Sequence, residues 1–249
     1  MKIFDAHFHI IDPKFPLIEN QGYLPDPFTH EQYLKRTKGI QLEGGAIVSG
    51  SFQGYDQTYL LHALKQLGEN FVGVTQLPYE VSDADIMKLH DGGVRALRFN
   101  VKRGGSEDIA RLDAFARRVY NLAGWHTELY IDAISLPEIA LILERLPAVS
   151  IDHLGLSKEG LPHLLALVNK GVKVKATGFG RVDFDVEEAL RTIYEANPHA
   201  LMFGTDLPST RAKRPYCDDD INLVYRALPL EAAEKVLYKN ARAWYLQSR

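Results

Sequence analysis

The sequence predicts an α/β fold: a single (β/α)8 TIM barrel spanning residues 1–249, with an extra C-terminal helix and a long loop after strand one. Three observations predict it. The 249 residues match the roughly 250 typical of a one-barrel chain. Short apolar runs alternate eight times with segments of helical period, the pattern of βα units on a parallel sheet. The first run ends in histidines, where a doubly wound sheet usually carries a glycine-rich phosphate loop.

The apolar runs, rich in β-branched residues, fall near 2–9, 45–49, 71–77, 94–101, 126–132, 148–153, 172–177 and 201–205. Helical spacing of apolar residues marks 29–38, 56–68, 82–91, 107–123, 136–146, 159–170, 186–197 and 218–228, and again 230–246. Thr29 with Gln32, Ser135 with Glu138 and Asp185 with Glu188 have capping-box spacing, and Ser106 reads as a further N-cap. Gly39, Gly68, Gly92, Gly124 and Gly171 stand where left-handed C-caps are expected. Residues 10–28 break the rhythm: Pro13, Pro16, Pro25 and Pro27 interrupt any period. After a first barrel strand such a loop lies on the catalytic face, as a lid or substrate wall, or else as a stiff surface connection.

Composition narrows the function classes. A formal net charge of -3 gives no global attraction to nucleic acid or anionic membrane. One cysteine, Cys217, excludes an intramolecular disulfide and fits a reducing compartment. No apolar stretch is long enough to span a bilayer and the chain opens on a strand, so a cytoplasmic protein is expected. Tyr and Trp in 230–246 either pack that helix on the barrel or support a homo-oligomer.

The chemistry gathers at strand ends. In Asp5-Ala6-His7-Phe8-His9, strand alternation puts His7 and His9 on one face, at the end of a barrel strand where catalytic groups collect. In Ile151-Asp152-His153 it puts His153 on the face opposite Asp152. The eighth run places Asp206 at the mouth, with Gly204 leaving space below it. Three imidazoles and a carboxylate suit one divalent ion, Zn or Mn, with an open position for water. Taken singly, each has an ordinary structural reading: a hydrogen-bonded strand-end histidine, or a helix-capping aspartate.

The stretches Phe4-Asp5-Ala6-His7-Phe8-His9, Asp152-His153-Leu154-Gly155, Gly204-Thr205-Asp206-Leu207-Pro208 and Asn240-Ala241-Arg242-Ala243-Trp244-Tyr245 resemble the landmarks of the amidohydrolase superfamily, in its amidohydrolase-2 branch. That branch includes 2-pyrone-4,6-dicarboxylate lactonases, other lactonases, and decarboxylases of the aminocarboxymuconate-semialdehyde type. The resemblance implies that His7, His9, His153 and Asp206 form the catalytic group. In metal-dependent members these positions hold a divalent ion and the aspartate handles the proton of the attacking water. The pyrone-dicarboxylate type works without a metal, so the motif alone does not establish a cofactor. The fourth run, Val94 to Asn100, has no lysine to carbamylate, which argues against a binuclear site.

The remaining candidates would bind substrate. Arg98 and Arg181 follow strand ends, and Arg211, Lys213 and Arg214 follow the eighth; a guanidinium grips a carboxylate with two parallel hydrogen bonds. Lys213 reads as a solvated loop charge. His126, Glu128 and Tyr130 share a face of the fifth run, with His126 early and deep. Lys175 either points inward as a further cation or pairs with a nearby acid. The leading expectation is hydrolysis of a lactone, ester or amide in a small acidic substrate by activated water. Decarboxylation of an aromatic or unsaturated acid is the alternative, and a non-catalytic barrel that binds a small acid comes third.

Overall fold

The computed structural model describes residues 2–246; Met1 and residues 247–249, included in the expected domain, lie outside the described residues. Eight strands lie side by side in chain order: β1 (Lys2–Phe8), β2 (Gln41–Val48), β3 (Phe71–Thr75), β4 (Val94–Phe99), β5 (His126–Leu129), β6 (Val149–Ile151), β7 (Lys173–Ala176) and β8 (Leu201–Phe203). All seven neighbouring pairs are parallel. Both faces of such strands are covered, which is why β3 and β8 read as apolar runs, while polar groups interrupt β1, β4, β5 and β7.

The ring closes just beyond β8. There the Asp206 N–H donates to the His7 carbonyl and the His9 N–H to the Leu207 carbonyl, both at 2.7 Å. Asp5 clamps the same seam. Its carboxylate accepts from the Thr205 N–H (2.8 Å), the Thr205 hydroxyl (2.7 Å) and the Tyr33 hydroxyl (3.0 Å). Burial pushes the Asp5 carboxyl up to about 6, against the pull of those hydrogen bonds.

The helices are α1 (His30–Arg36), α2 (Thr58–Leu67), α3 (Asp83–Asp91), α4 (Leu112–Ala123), α5 (Ala140–Leu143), α6 (Leu161–Val168), α7 (Val186–Ala196), α8 (Asp219–Ala227), α9 (Leu230–Glu234) and α10 (Asn240–Leu246). In α4, Leu112, Phe115, Ala116 and Val119 form the i, i+3, i+4, i+7 stripe buried in the core. A second core fills the barrel interior: Phe4, Ala6, Ala46, Val48, Val72, Val74, Ala96 and Met202, joined by Ala241 and Tyr245 of α10. Tyr245 stacks on Phe4 with ring centroids 5.6 Å apart, and Trp244 lies 4.7 Å from the His126 ring. The C-terminal aromatics therefore pack against the barrel. No helix among the described residues is long and apolar enough to cross a membrane.

Local expectations needed correction in four places. The segment 136–146 forms a 3-10 stretch (Ala133–Glu138) and one turn of α5, because Pro137 has no N–H to donate. Its cap is Asp132, not Ser135. Ser106 accepts from the Asn100 N–H and so fastens the β4 loop, while Asp108 caps the next turn. Gly92 ends α3 at φ −77 and Gly93 takes the left-handed turn at φ +99; α1 ends at Thr37, before Gly39. The segment 230–246 is split by a π turn at Lys235–Lys239. The capping box at Thr29 and the Asp185 cap form as expected.

Candidate active site

The end of β1 carries His7 and, just beyond it, His9; their rings meet edge to face with centroids 5.1 Å apart. The His153 ring lies 4.8 Å from that of His7. It arrives there by an irregular route. β6 ends at Ile151, and His153 and Leu154 both take φ +52, so strand alternation no longer applies. Asp152 and His153 consequently both reach His7, which corrects the expectation of opposite faces: Asp152 Oδ1 is 3.6 Å from His7 Nδ1. Gly178 makes room for His153, since a Cβ there would stand 2.6 Å from its Nδ1.

Asp206 comes from the seam after β8. One carboxylate oxygen, Oδ2, accepts from Arg181 Nε at 2.6 Å. The other, Oδ1, is buried without a hydrogen-bond partner among the described residues, 3.9 Å from His7 Nε2 and 3.8 Å from His9 Nε2. Gly204 does leave space, and His7's main chain takes it: a Cβ on Gly204 would lie 2.6 Å from the His7 nitrogen.

Electrostatics divide these groups. Burial lowers the pKa of His7, His9 and His153, and the nearby cations push the same way, so the imidazoles are neutral; His9 falls to about 3. Burial raises Asp206, and Arg181 only partly offsets it. For Asp152, burial is outweighed by Arg98 and Lys175, which hold it below the usual carboxylate range. The site pairs a carboxyl raised above its ordinary value with neutral imidazoles, a combination suited to proton transfer.

Above these groups is a small cavity of about 30 Å³, whose lining includes His9, Arg98, Asn100, Arg103, Tyr130, His153, Arg181 and Arg211. Three of the four arginines are engaged by the protein. Arg98 donates to Asp152 Oδ2 (2.8 Å) and the Ser49 carbonyl (2.6 Å). Arg181 holds Asp206 and the Thr210 carbonyl (2.8 Å). Arg211 donates to the Asn20 carbonyl and lies 4.3 Å from the Tyr23 ring centroid. The Arg103 guanidinium has no protein partner among the described residues; only its backbone is engaged, by Asn20, Gln21 and Asn100. Arg103 sits on an aperiodic loop, and sequence reasoning missed it.

Loop 10–28 therefore acts one layer out. An Ile11–Phe28 bridge closes its base, and its Asn20–Tyr23 turn is fastened to Arg103 and Arg211 over the mouth. Lys213 is exposed, and Arg214 pairs with Asp220 at 2.7 Å, outside the cavity lining. Glu128 points inward but ends beneath the cavity, where Lys175, His126 and Tyr245 surround its carboxylate; the expected substrate contact gives way to a buried ion pair.

Two trios bring ligand atoms within 4.8 Å of one another: His7, His9 and Asp206, and His7, Asp152 and His153. The first fits a divalent ion by spacing, and the unpartnered His7 Nε2 and Asp206 Oδ1 both face the shared volume. His9 Nδ1 donates to the Val48 carbonyl at 2.7 Å, which turns its Nε2 lone pair toward the same volume.

Comparison with known proteins gives the family. The Amidohydrolase family profile matches residues 4–246. The chain belongs to the amidohydrolase family. It is 27% identical over 274 residues to the 2-pyrone-4,6-dicarboxylate hydrolase of Comamonas testosteroni, covering 97% of this chain and 89% of that protein. It is 27% identical over 255 residues to the 4-sulfomuconolactone hydrolase of Hydrogenophaga intermedia, covering 92% and 83%. Among solved structures, an Acinetobacter baumannii protein described as a 2-pyrone-4,6-dicarboxylic acid hydrolase, with citric acid bound, superposes with a TM-score of 0.84 at 22% identity, covering 98% of this chain and 99% of that one. At that identity the likeness establishes the fold of this amidohydrolase.

Proposed function

We propose that this amidohydrolase hydrolyses the ring ester of a small lactone bearing further anionic groups, carboxylate or sulfonate. One observation carries the reading: a buried carboxylate, Asp206, with a free oxygen and a raised pKa, stands beside neutral histidines under an arginine-lined cavity. The two hydrolases named above act on lactones with such anions, which supports it.

Asp206 Oδ1 takes a proton from water as the oxygen attacks the lactone carbonyl carbon. His7 and His153 hydrogen-bond the carbonyl oxygen as it gains negative charge. The tetrahedral intermediate collapses by breaking the ring C–O bond, and the proton held on Asp206 passes to the departing oxygen. Arg181 keeps the carboxylate oriented throughout. Arg103, free of protein partners, and Arg211 at the rim grip the substrate's anions. A 30 Å³ cavity has room for about two waters, so a lactone is seated with the rim side chains moved apart. If a divalent ion, zinc or manganese, is bound, His7, His9 and Asp206 would hold it, and it would supply Lewis acidity and a more acidic water.

The test is a product assay on 2-pyrone-4,6-dicarboxylate, a sulfonated muconolactone and neutral δ-valerolactone, with and without added zinc or manganese. Ring-opened acid with proton release from an anionic lactone, at least tenfold faster than from the neutral one, is expected. Release of carbon dioxide, or binding of the anionic lactones without turnover, would overturn the proposal.

A further inference from the structure

Beneath the cavity lies a buried column of polar groups that the proposed chemistry does not use directly. Lys175 of β7 is fully buried, and its ammonium is ion-paired to Glu128 Oε2. The other oxygen of Glu128 meets His126 Nε2 at 2.9 Å and the Tyr245 hydroxyl. From this anchored position Lys175 Nζ lies 3.4 Å from His7 Nδ1, and 3.9 Å from Asp152 Oδ1.

We propose that Lys175 is a positioning residue: held by Glu128, it donates to His7 Nδ1 and fixes His7 as the tautomer with its proton on Nε2. The argument is one of donors and acceptors. An ammonium has three protons to give and no lone pair, so the nitrogen it approaches must be the acceptor. A neutral imidazole with Nδ1 accepting carries its proton on Nε2. The opposite tautomer would set an N–H against the ammonium, and its rival acceptor, Asp152 Oδ1, is 3.6 Å away, beyond hydrogen-bonding distance.

The consequence is that two histidines two residues apart present opposite characters to the Asp206 carboxylate. His9 gives its Nδ1 proton to the Val48 carbonyl and offers a lone pair at Nε2. His7 offers an N–H at Nε2, 3.9 Å from Asp206 Oδ1. His7 in this form is a donor to oxygen, and a divalent ion could take its Nε2 only after displacing that proton. The inference deepens the lactonase reading, in which His7 stabilises the carbonyl oxygen, but its test needs no substrate.

The experiment is a long-range ¹H–¹⁵N correlation spectrum of the ¹⁵N-histidine-labelled protein at pH 7.5, with the His7 signals assigned from a His7→Asn variant. Wild-type protein is expected to show His7 protonated at Nε2 and His9 protonated at Nδ1. The double variant Lys175→Met/Glu128→Gln, which removes the ion pair as a unit, is expected to move the His7 proton to Nδ1. A wild-type His7 protonated at Nδ1, or a folded double variant with the tautomer unchanged, overturns the proposal. If the double variant does not fold, the wild-type spectrum alone decides. An inactive protein with the expected spectrum would refute the substrate class and leave the role of Lys175 standing.

Discussion

Replacing Asp206 with Asn tests the proposed chemistry most directly, because the structure allows its catalytic and structural costs to be separated. The substitution removes the proton acceptor at Oδ1 but keeps an amide oxygen that can still accept from Arg181 Nε. Loss of a positioned general base lowers kcat about 10²–10⁴-fold, equivalent to about 3–5 kcal/mol of barrel-held transition-state stabilisation. The structural cost is smaller. Arg181 is 8% exposed and retains its bond to the Thr210 carbonyl, so replacing its ion pair with a hydrogen bond to an uncharged amide costs about 1–2 kcal/mol. That predicts a fall in Tm of about 2–8 °C for a chain of this size. Steady-state kinetics on an anionic lactone, paired with thermal melting by circular dichroism, read both quantities. A folded variant that keeps kcat within tenfold of the wild type, or loses activity only through KM, would refute the assignment of Asp206 as base.

Other outcomes follow from single contacts. Arg103→Ala should raise KM for a doubly charged lactone about tenfold or more with kcat little changed, since one charged hydrogen bond is worth about 1.5–3 kcal/mol; because that guanidinium holds no protein group, Tm should stay within about 1 °C, and a large drop would show a structural role instead. Gly204→Ala should cost about 1–3 kcal/mol in urea unfolding and depress kcat, because the new Cβ meets the His7 backbone at 2.6 Å and main chain cannot swing aside. Asp5, at about 6 in the folded protein against 3.8 in a free carboxyl, binds its proton more tightly when folded. Its contribution to stability is therefore complete below about pH 4 and is lost as the pH rises through 6, about 3 kcal/mol in all. Urea unfolding from pH 4.5 to 7.5 should show that slope in the wild type and a flatter one in Asp5→Asn; parallel curves would contradict it.

The eight strands were legible because strands covered on both faces lie in stretches rich in apolar residues, and because helix caps and glycines punctuate the gaps. His7 and His9 were legible because strand alternation puts them on one face, and Asp206 because it follows a strand end, although it lies beyond β8 at φ +61. Asp152 was misread where that rule lapses, at the positive-φ turn through His153 and Leu154. Glu128 was read with the right direction and the wrong depth, since periodicity fixes a face but not a height along the barrel axis. Lys175 is undecidable from alternation, because its role depends on Glu128 and His7, 47 and 168 residues away. Arg103 lies on a loop, where no period exists to read.

The seam between β1 and the end of β8 carries a consequence for how the protein matures. Asp5 and Thr205 are separated by 200 residues of chain, and the hydrogen bonds that join their strands are made by His7, His9, Asp206 and Leu207. The reactive groups are thus built into the last gap of the ring to be stitched. Contacts so distant in sequence carry the largest entropic cost of loop closure and are expected to form late. Recovery of turnover during refolding should then lag the recovery of helix signal, making activity a clock for ring closure. A chain stalled with its ring open would keep most of its helices and have no centre for the chemistry at all.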